Sequence, residues 1–205
     1  MSGLSKVYSQ SVARLTSQLA KMPGIGEKTA ERLTYHILDL SRDEAAQLAG
    51  AIIEAKENVK KCSVCCLLSE SDPCHVCADP GRDHTRVCVV EDSRDASAIE
   101  HSGAYDGLYH VLCGRVAPLD GMEPEDLTVP QLIRRIREGR IQEVILATNA
   151  DMEGDATALF VQQGLKDLPV RLTRLARGVP SGSHLHYANP AVLGEALTGR
   201  REMRQ

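Results

Sequence analysis

Aromatic side chains are scarce in this 205-residue sequence, which has no tryptophan, a single phenylalanine and five tyrosines. A protein that grips single-stranded bases by stacking needs a platform of such rings, so that mode of recognition is disfavoured. A basic excess is missing as well: 24 Lys/Arg face 28 Asp/Glu for a net charge of −4, which argues against nucleic-acid binding by bulk electrostatics. Residues 1–61 nevertheless hold nine basic against seven acidic side chains, while residues 87–205 hold thirteen against seventeen, so any phosphate contact is expected near the N-terminus. No apolar run approaches a membrane span and no charged-then-apolar leader opens the chain, so a cytoplasmic protein with no membrane partner is expected. In that reducing compartment the seven cysteines are expected as thiols or metal ligands rather than disulfides. A P-loop is missing too. In "PGIGEKTAER", residues 23–32, Glu27 separates Gly26 from Lys28, and Lys21 stands where the upstream glycine belongs.

What is present begins with helices. Val12, Leu15 and Leu19 recur at helical spacing in a segment running from Ser5 to Ala20, and the pattern stops at Pro23. Ala30, Leu33 and Ile37 predict a second helix after the glycines. Ser41 followed by Glu44 reads as a capping box that opens a third. From position 87 the pattern changes. Val87–Val90, Leu108–Leu112, Val144–Ala147 and Val170–Leu172 read as strands, with helices over 96–101, 129–138 and 156–163 between them. Such alternation predicts right-handed βαβ units and a largely parallel sheet.

Three motifs carry chemistry. In helix, Pro-Gly-Ile-Gly, helix, Gly24 and Gly26 permit a tight turn and let an anion approach bare N–H groups at the positive end of the second helix. Lys28 and Arg32, four residues apart, share one face of that helix and can flank one phosphate backbone. The alternative is a plain αα-hairpin in which the glycines serve only the turn. Second, Cys62-x2-Cys65-x8-Cys74-x2-Cys77 is a pair of knuckles able to place four thiolates around one structural Zn2+. Cys66 and His75 adjoin those ligands as substitutes, while Cys88 and Cys113 fall in expected strands as core residues. Third, Glu91 and Asp95 follow the first strand of the α/β part, and Asp151, Glu153 and Asp155 follow the strand Val144–Ala147. A parallel sheet puts these acids at one edge, where they can hold Mg2+ or serve simply as helix N-terminal acids.

"PGIG" with its basic helix resembles the helix-hairpin-helix motif, and "VVED" with "ATNADMEGDAT" resembles the Toprim pattern of topoisomerases and primases. The ordered set of hairpin, four-cysteine knuckle and Toprim resembles the RecR family of bacterial recombination mediators over essentially the whole chain, with further family-like stretches in "CADPGRD", "YHVLCGRVAPLDG", "EVILATN" and "LTGR". The resemblance implies an α+β chain in several parts: a helix-hairpin-helix region over 1–60, a four-cysteine zinc finger over 61–84, a Toprim domain with a mainly parallel sheet over 85–175, and a helical C-terminal tail over 176–205 that serves oligomerisation. It implies a non-enzymatic, nucleoid-associated DNA clamp of recombinational repair. Working with RecO and RecF, such a clamp loads RecA onto single-stranded DNA coated by single-strand-binding protein, and it closes as a ring-like homo-oligomer. Carried over by position, Gly24, Gly26, Lys28 and Arg32 face DNA, Cys62, Cys65, Cys74 and Cys77 hold zinc, and Glu91 and Asp95 lie in the surface that engages RecO.

This sequence departs from the family pattern in places. Glu27 stands where proline is usual, Asn149 replaces the first acid of the enzymatic Toprim pair, Asp151 supplies a second acid, and His184, His186 and Asn189 occupy tail positions that are commonly small or acidic. The competing reading is a Toprim nuclease or topoisomerase using Glu91, Asp151, Glu153 and Asp155 with Mg2+. A topoisomerase needs a tyrosine nucleophile, and no motif singles out Tyr8, Tyr35, Tyr105, Tyr109 or Tyr187.

Overall fold

A computed structural model describes residues 9–202, and the chain divides between Asn58 and Val59 into two compact units. Helix α1 (Gln10–Leu19) begins at Ser9, whose hydroxyl accepts from the Val12 N–H at 3.4 Å. The part of that helix expected before Ser9 lies outside the described residues. Helix α2 (Glu27–Asp39) follows the glycine turn, and α3 (Arg42–Asn58) completes the unit. The capping box is present: the Glu44 N–H donates to the Ser41 hydroxyl at 3.2 Å, and the Glu44 carboxylate accepts the Ser41 N–H at 2.9 Å.

Packing in this unit is sparse. Helix α2 buries only Ala30 and Thr34, and α1 and α3 bury nothing. The hydroxyls of Thr16 and Thr34 lie 2.9 Å apart and link α1 to α2, each also within reach of the carbonyl four residues back on its own helix, Val12 at 3.0 Å and Ala30 at 2.9 Å. On α3 the apolar residues Leu48, Ile52 and Ile53 stay 45–58 % exposed.

The second unit opens with the hairpin β1 (Lys60–Lys61) and β2 (Leu68–Ser69) and a one-turn helix α4 (His75–Ala78). It continues as β3 (Asp83–Val90), α5 (Ser93–His101), β4 (Gly107–Val111), α6 (Val129–Glu138), β5 (Glu143–Leu146), α7 (Met152–Leu165), β6 (Arg171–Arg174) and α8 (Pro190–Thr198). The four longer strands form a parallel sheet in the order β4-β3-β5-β6. Alternation along β3 and β5 sorts side chains to its two faces. Val87, Val89, Val144 and Leu146 pack with Val129, Leu132 and Ile136 of α6 and Ala158, Val161 and Leu165 of α7. On the other face Cys88, Val90 and Ile145 pack with Ala96 and Ile99 of α5 and with the knuckle cysteines. Chain order therefore reverses direction around β3, which puts loops after β3 and β5 beside each other at the carboxyl edge of the sheet. Cys113 lies beyond the end of β4, with φ 63° and half-buried, rather than in the strand expected for it. The strand stops at Val111, whose carbonyl accepts the Thr128 hydroxyl at 2.6 Å.

Candidate nucleic-acid interface and metal centre

The turn between α1 and α2 is closed by the Ile25 N–H donating to the Met22 carbonyl at 3.0 Å. Gly24 has φ +77°, a left-handed conformation that favours glycine. Gly26 is different: φ is −80° and a Cβ there meets nothing within 4 Å. No side chain caps α2, so its first turn opens outward with the helix dipole's positive end. Lys28 and Arg32 are both exposed, as is Glu27 in the same first turn.

In the knuckle, the Cys62 N–H donates to the Leu67 carbonyl at 2.8 Å and the Cys66 N–H to the Cys62 carbonyl at 2.9 Å, which curls the first pair of cysteines inward. Asp72 ties the loop by accepting from both the N–H and the hydroxyl of Ser63, each at 2.8 Å. The second pair enters with α4, where the Cys74 N–H donates to Cys62 Sγ at 3.3 Å. The Sγ atoms of Cys62, Cys65, Cys74 and Cys77 all lie within 4.8 Å of one another, and this is the only group of three or more such ligands among the described residues. Cys66, at φ 62°, and the exposed His75 stand outside it. The Val111 N–H donates to the Cys65 carbonyl at 2.8 Å, docking the knuckle on the end of β4.

Electrostatics alone would disfavour such a cluster. A side-chain hydrogen bond that the Cys65 thiol donates to Cys77, followed by burial, pushes the Cys65 pKa far up; burial pushes Cys74 up to about 11. Burial also opposes ionisation of Cys62, but the N–H groups of Cys74, Cys65 and Val64 outweigh it and bring this thiol below its usual value. Crowded thiolates need a cation to coexist.

At the carboxyl edge the acids part company. Glu91 is 5 % exposed; its Oε1 accepts the Asn149 backbone N–H at 2.8 Å and its Oε2 the Asn149 side-chain amide at 2.6 Å. Asp95 pairs with Asp92 in a capping box on α5, accepting the Asp92 N–H at 3.0 Å. Asp151 caps α7 through the Gly154 N–H at 2.7 Å and meets Arg115 at 3.2 Å. Glu153 sits half-buried in the first turn of α7. Asp155 is ion-paired to Arg177 and Arg174, and these hydrogen bonds lower its carboxyl pKa. The expected gathering of these five acids is thus corrected: they share an edge without converging on one metal-binding point, because separate donors hold Glu91, Asp95, Asp151 and Asp155. Gly154 is required here, since a Cβ would fall 2.2 Å from the Asn149 carbonyl oxygen.

Residues 85–176 match the Toprim domain, residues 12–56 the RecR helix-hairpin-helix and residues 59–79 the RecR four-cysteine zinc finger domain. Among curated proteins, the chain is 50 % identical to "Recombination protein RecR" of Rhodopirellula baltica over 96 % of its own length and 98 % of the relative's. It is 47 % identical to the protein of the same name from Moorella thermoacetica, with the same coverage of both chains, and 49 % to that of Desulforudis audaxviator, covering 96 % of this chain and 99 % of the relative. The chain belongs to the RecR family.

The four-cysteine centre of this RecR family member fits one structural Zn2+. A Zn–S bond of about 2.3 Å sets neighbouring sulfurs about 3.8 Å apart, and Cys65 and Cys74 Sγ are 3.5 Å apart. Bound zinc supplies a fixed tetrahedral crosslink, and Arg135 Nη2, 4.0 Å from Cys77 Sγ, adds a cation beside the thiolates. No described helix of this chain is long and apolar enough to cross a membrane. Sequence reasoning missed Asp92, Arg115, Asn149, Arg174 and Arg177 as organisers of the edge. Asp92 was findable, because an acid three residues before Asp95 at a strand-to-helix junction is a capping-box signature. The arginine partners are set by tertiary placement and carry no local signal.

Proposed function

We propose that this RecR family chain is a non-enzymatic DNA clamp and adaptor of recombinational repair, which acts with RecO and RecF to load RecA onto single-stranded DNA covered by single-strand-binding protein. The observation that carries the DNA-binding part is Gly26. The fold does not need a glycine there: its φ is ordinary, a side chain has open space, and serine or aspartate would cap α2 better. A bare position at an uncapped helix start, followed within two turns by exposed Lys28 and Arg32, is what close approach of a phosphate backbone requires. Gly24 serves the turn, Gly26 the ligand.

Each such site is weak, and the chain's net charge of −4 gives no general attraction. Affinity therefore comes from joining several sites in one assembly, where a second contact forms at high effective concentration. The uncovered apolar face of α3 and the exposed Leu185, Tyr187 and Leu197 of the tail region 176–205 supply surfaces for pairing copies at both ends of the chain. Pairing at both ends closes a ring. Asp95, Asp151, Glu153 and Asp155 form the polar surface that meets RecO. Glu91, buried with both oxygens occupied, acts beneath it by fixing the Asn149 loop.

An adaptor role also fits the state of the groups an enzyme would use. Asn149 satisfies Glu91 with two N–H donors where an aspartate would bring a second negative charge to the same oxygens. The Tyr105 hydroxyl donates to the Leu108 carbonyl at 2.9 Å and that of Tyr109 to Glu100 at 2.7 Å, with burial raising both phenol pKa values. Tyr8 lies outside the described residues.

The test is DNA binding measured across salt concentrations. For Lys28→Ala with Arg32→Ala, affinity is expected to fall about tenfold or more and the slope of log K against log salt to flatten by about two. Gly26→Ser is expected to weaken DNA binding while leaving thermal stability unchanged or slightly higher. Salt-sensitive binding identical to the parent in both variants would overturn this assignment.

A further inference from the structure

We propose that the C-terminal half of α6 is a second nucleic-acid contact, in which Arg134, Arg137 and Arg140 hold a phosphate backbone. The inference rests on the DNA-binding reading above but concerns a different unit of the chain. Residues 129–142 carry four arginines and one carboxylate, Glu138, in a part of the sequence where acids otherwise outnumber bases.

Most arginines from Arg82 to β6 are committed, whereas Arg201 near the C-terminus is exposed and free of a hydrogen bond or ion pair among the described residues. Arg82 pairs with Glu100, Arg86 with Asp83 and Asp106, Arg94 with Asp92, Arg115 with Asp151, and Arg171 with Glu143. Arg135 is spent inside the fold, donating to the Tyr109 carbonyl at 2.6 Å and facing Cys77 Sγ. By contrast, Arg134, Arg137 and Arg140 are exposed, and none has an ion pair or hydrogen bond among the described residues. Burial of Val129, Leu132 and Ile136 fixes the rotation of α6, so Arg134 and Arg137 stand one turn apart on its outer face. Arg140 continues the series just past the helix end.

The ridge they form has a groove on each side. Pro130, Ile133, Arg134, Arg137 and the carboxylate Glu138 line one; Arg140, His84, Val64 and Pro73 line part of the other. A protein partner would need an apolar or aromatic anchor at its centre, and the outer face of α6 offers only the half-buried Ile133. A phosphate backbone needs repeated charge and forked donors, which guanidinium groups supply.

The experiment compares the full-length parent, Arg134→Gln/Arg137→Gln/Arg140→Gln, the charge-keeping Lys version of the same triple, and Lys28→Ala/Arg32→Ala. All are titrated with a short blunt duplex across salt concentrations, with zinc content and helicity checked. The Gln triple is expected to lose about tenfold or more in affinity and to flatten the salt slope by about two to three, while the Lys triple retains most of the slope. If the Gln triple folds poorly, Arg137→Gln alone decides through a slope change of about one. Unchanged duplex binding in the Gln variants, with the hairpin double variant impaired, overturns this inference and leaves the proposed function standing. Loss of binding to polyglutamate but not to duplex overturns it too. A parent that binds no duplex at any salt concentration overturns both readings.

Discussion

The two units of this chain differ in how much of themselves they bury. The second has a core on each face of its sheet, led by Val87, Val89, Val144 and Val161 on one side and by Cys88, Val90 and Tyr109 on the other. The first buries Ala30 and Thr34 and leaves Leu48, Ile52 and Ile53 in the open. Folding must offset about 1–2 kcal/mol of backbone entropy per residue, and buried apolar area is the main source of that offset. The Toprim unit has such a source within itself. The helical unit lacks one, so its stability is tied to whatever covers α3, and the proposed pairing of copies is at once an assembly contact and a missing core.

Removing the metal from the self-sufficient unit is expected to have the largest effect. Cys65→Ser, or chelation of the parent, should abolish zinc binding and cost more than about 4 kcal/mol of chemical stability, because Cys65 is fully buried in the core shared by knuckle and sheet. Zinc stoichiometry and denaturant melts check this. Next comes α3: Ile52→Asp with Ile53→Asp should shift the protein to a smaller species by native mass, a change of about 3 kcal/mol in association, with the zinc content of the second unit intact. An unchanged oligomer would remove the link between exposure and assembly.

A smaller effect comes from His110, fully buried in β4, with Nε2 3.1 Å from the Thr128 carbonyl and Nδ1 without a hydrogen-bond partner. Burial, followed by the nearby Arg135 charge, depresses its pKa from 6.5 to about 4. The folded state therefore holds the ring neutral while the unfolded chain takes up a proton below about pH 6.5. Stability is complete above that pH and falls as the pH drops toward 4. Between pH 7 and pH 5 the loss should be about 2 kcal/mol in the parent and absent in His110→Gln. Equal pH dependence in both would contradict the assignment.

The same contrast explains what could be read from the sequence. Local signals predicted elements well: the Ser41-Glu44 box opens α3, 129–138 is helical, and short continuous apolar runs mark the buried strands β3 and β5. The four cysteines were legible because zinc imposes its geometry through spacing. Expectations failed where tertiary contacts decide. The edge acids carry no mark that Asn149, Arg115, Arg174 and Arg177 will each claim one. Nor does periodicity show that the apolar face of α3 will find no cover in its own unit, since an amphipathic pattern is the same whether the covering surface belongs to the same chain or to another.

The most direct test of the clamp is release from DNA with and without ends. Protein loaded on nicked circles and on linear fragments of equal length is challenged with competitor at fixed salt, and dissociation is followed for the intact multimer. Enclosure predicts long retention on circles and rapid loss by sliding off linear ends, with blocking of those ends restoring retention. Equal release from all three would show that the assembly holds DNA only by its individual phosphate contacts.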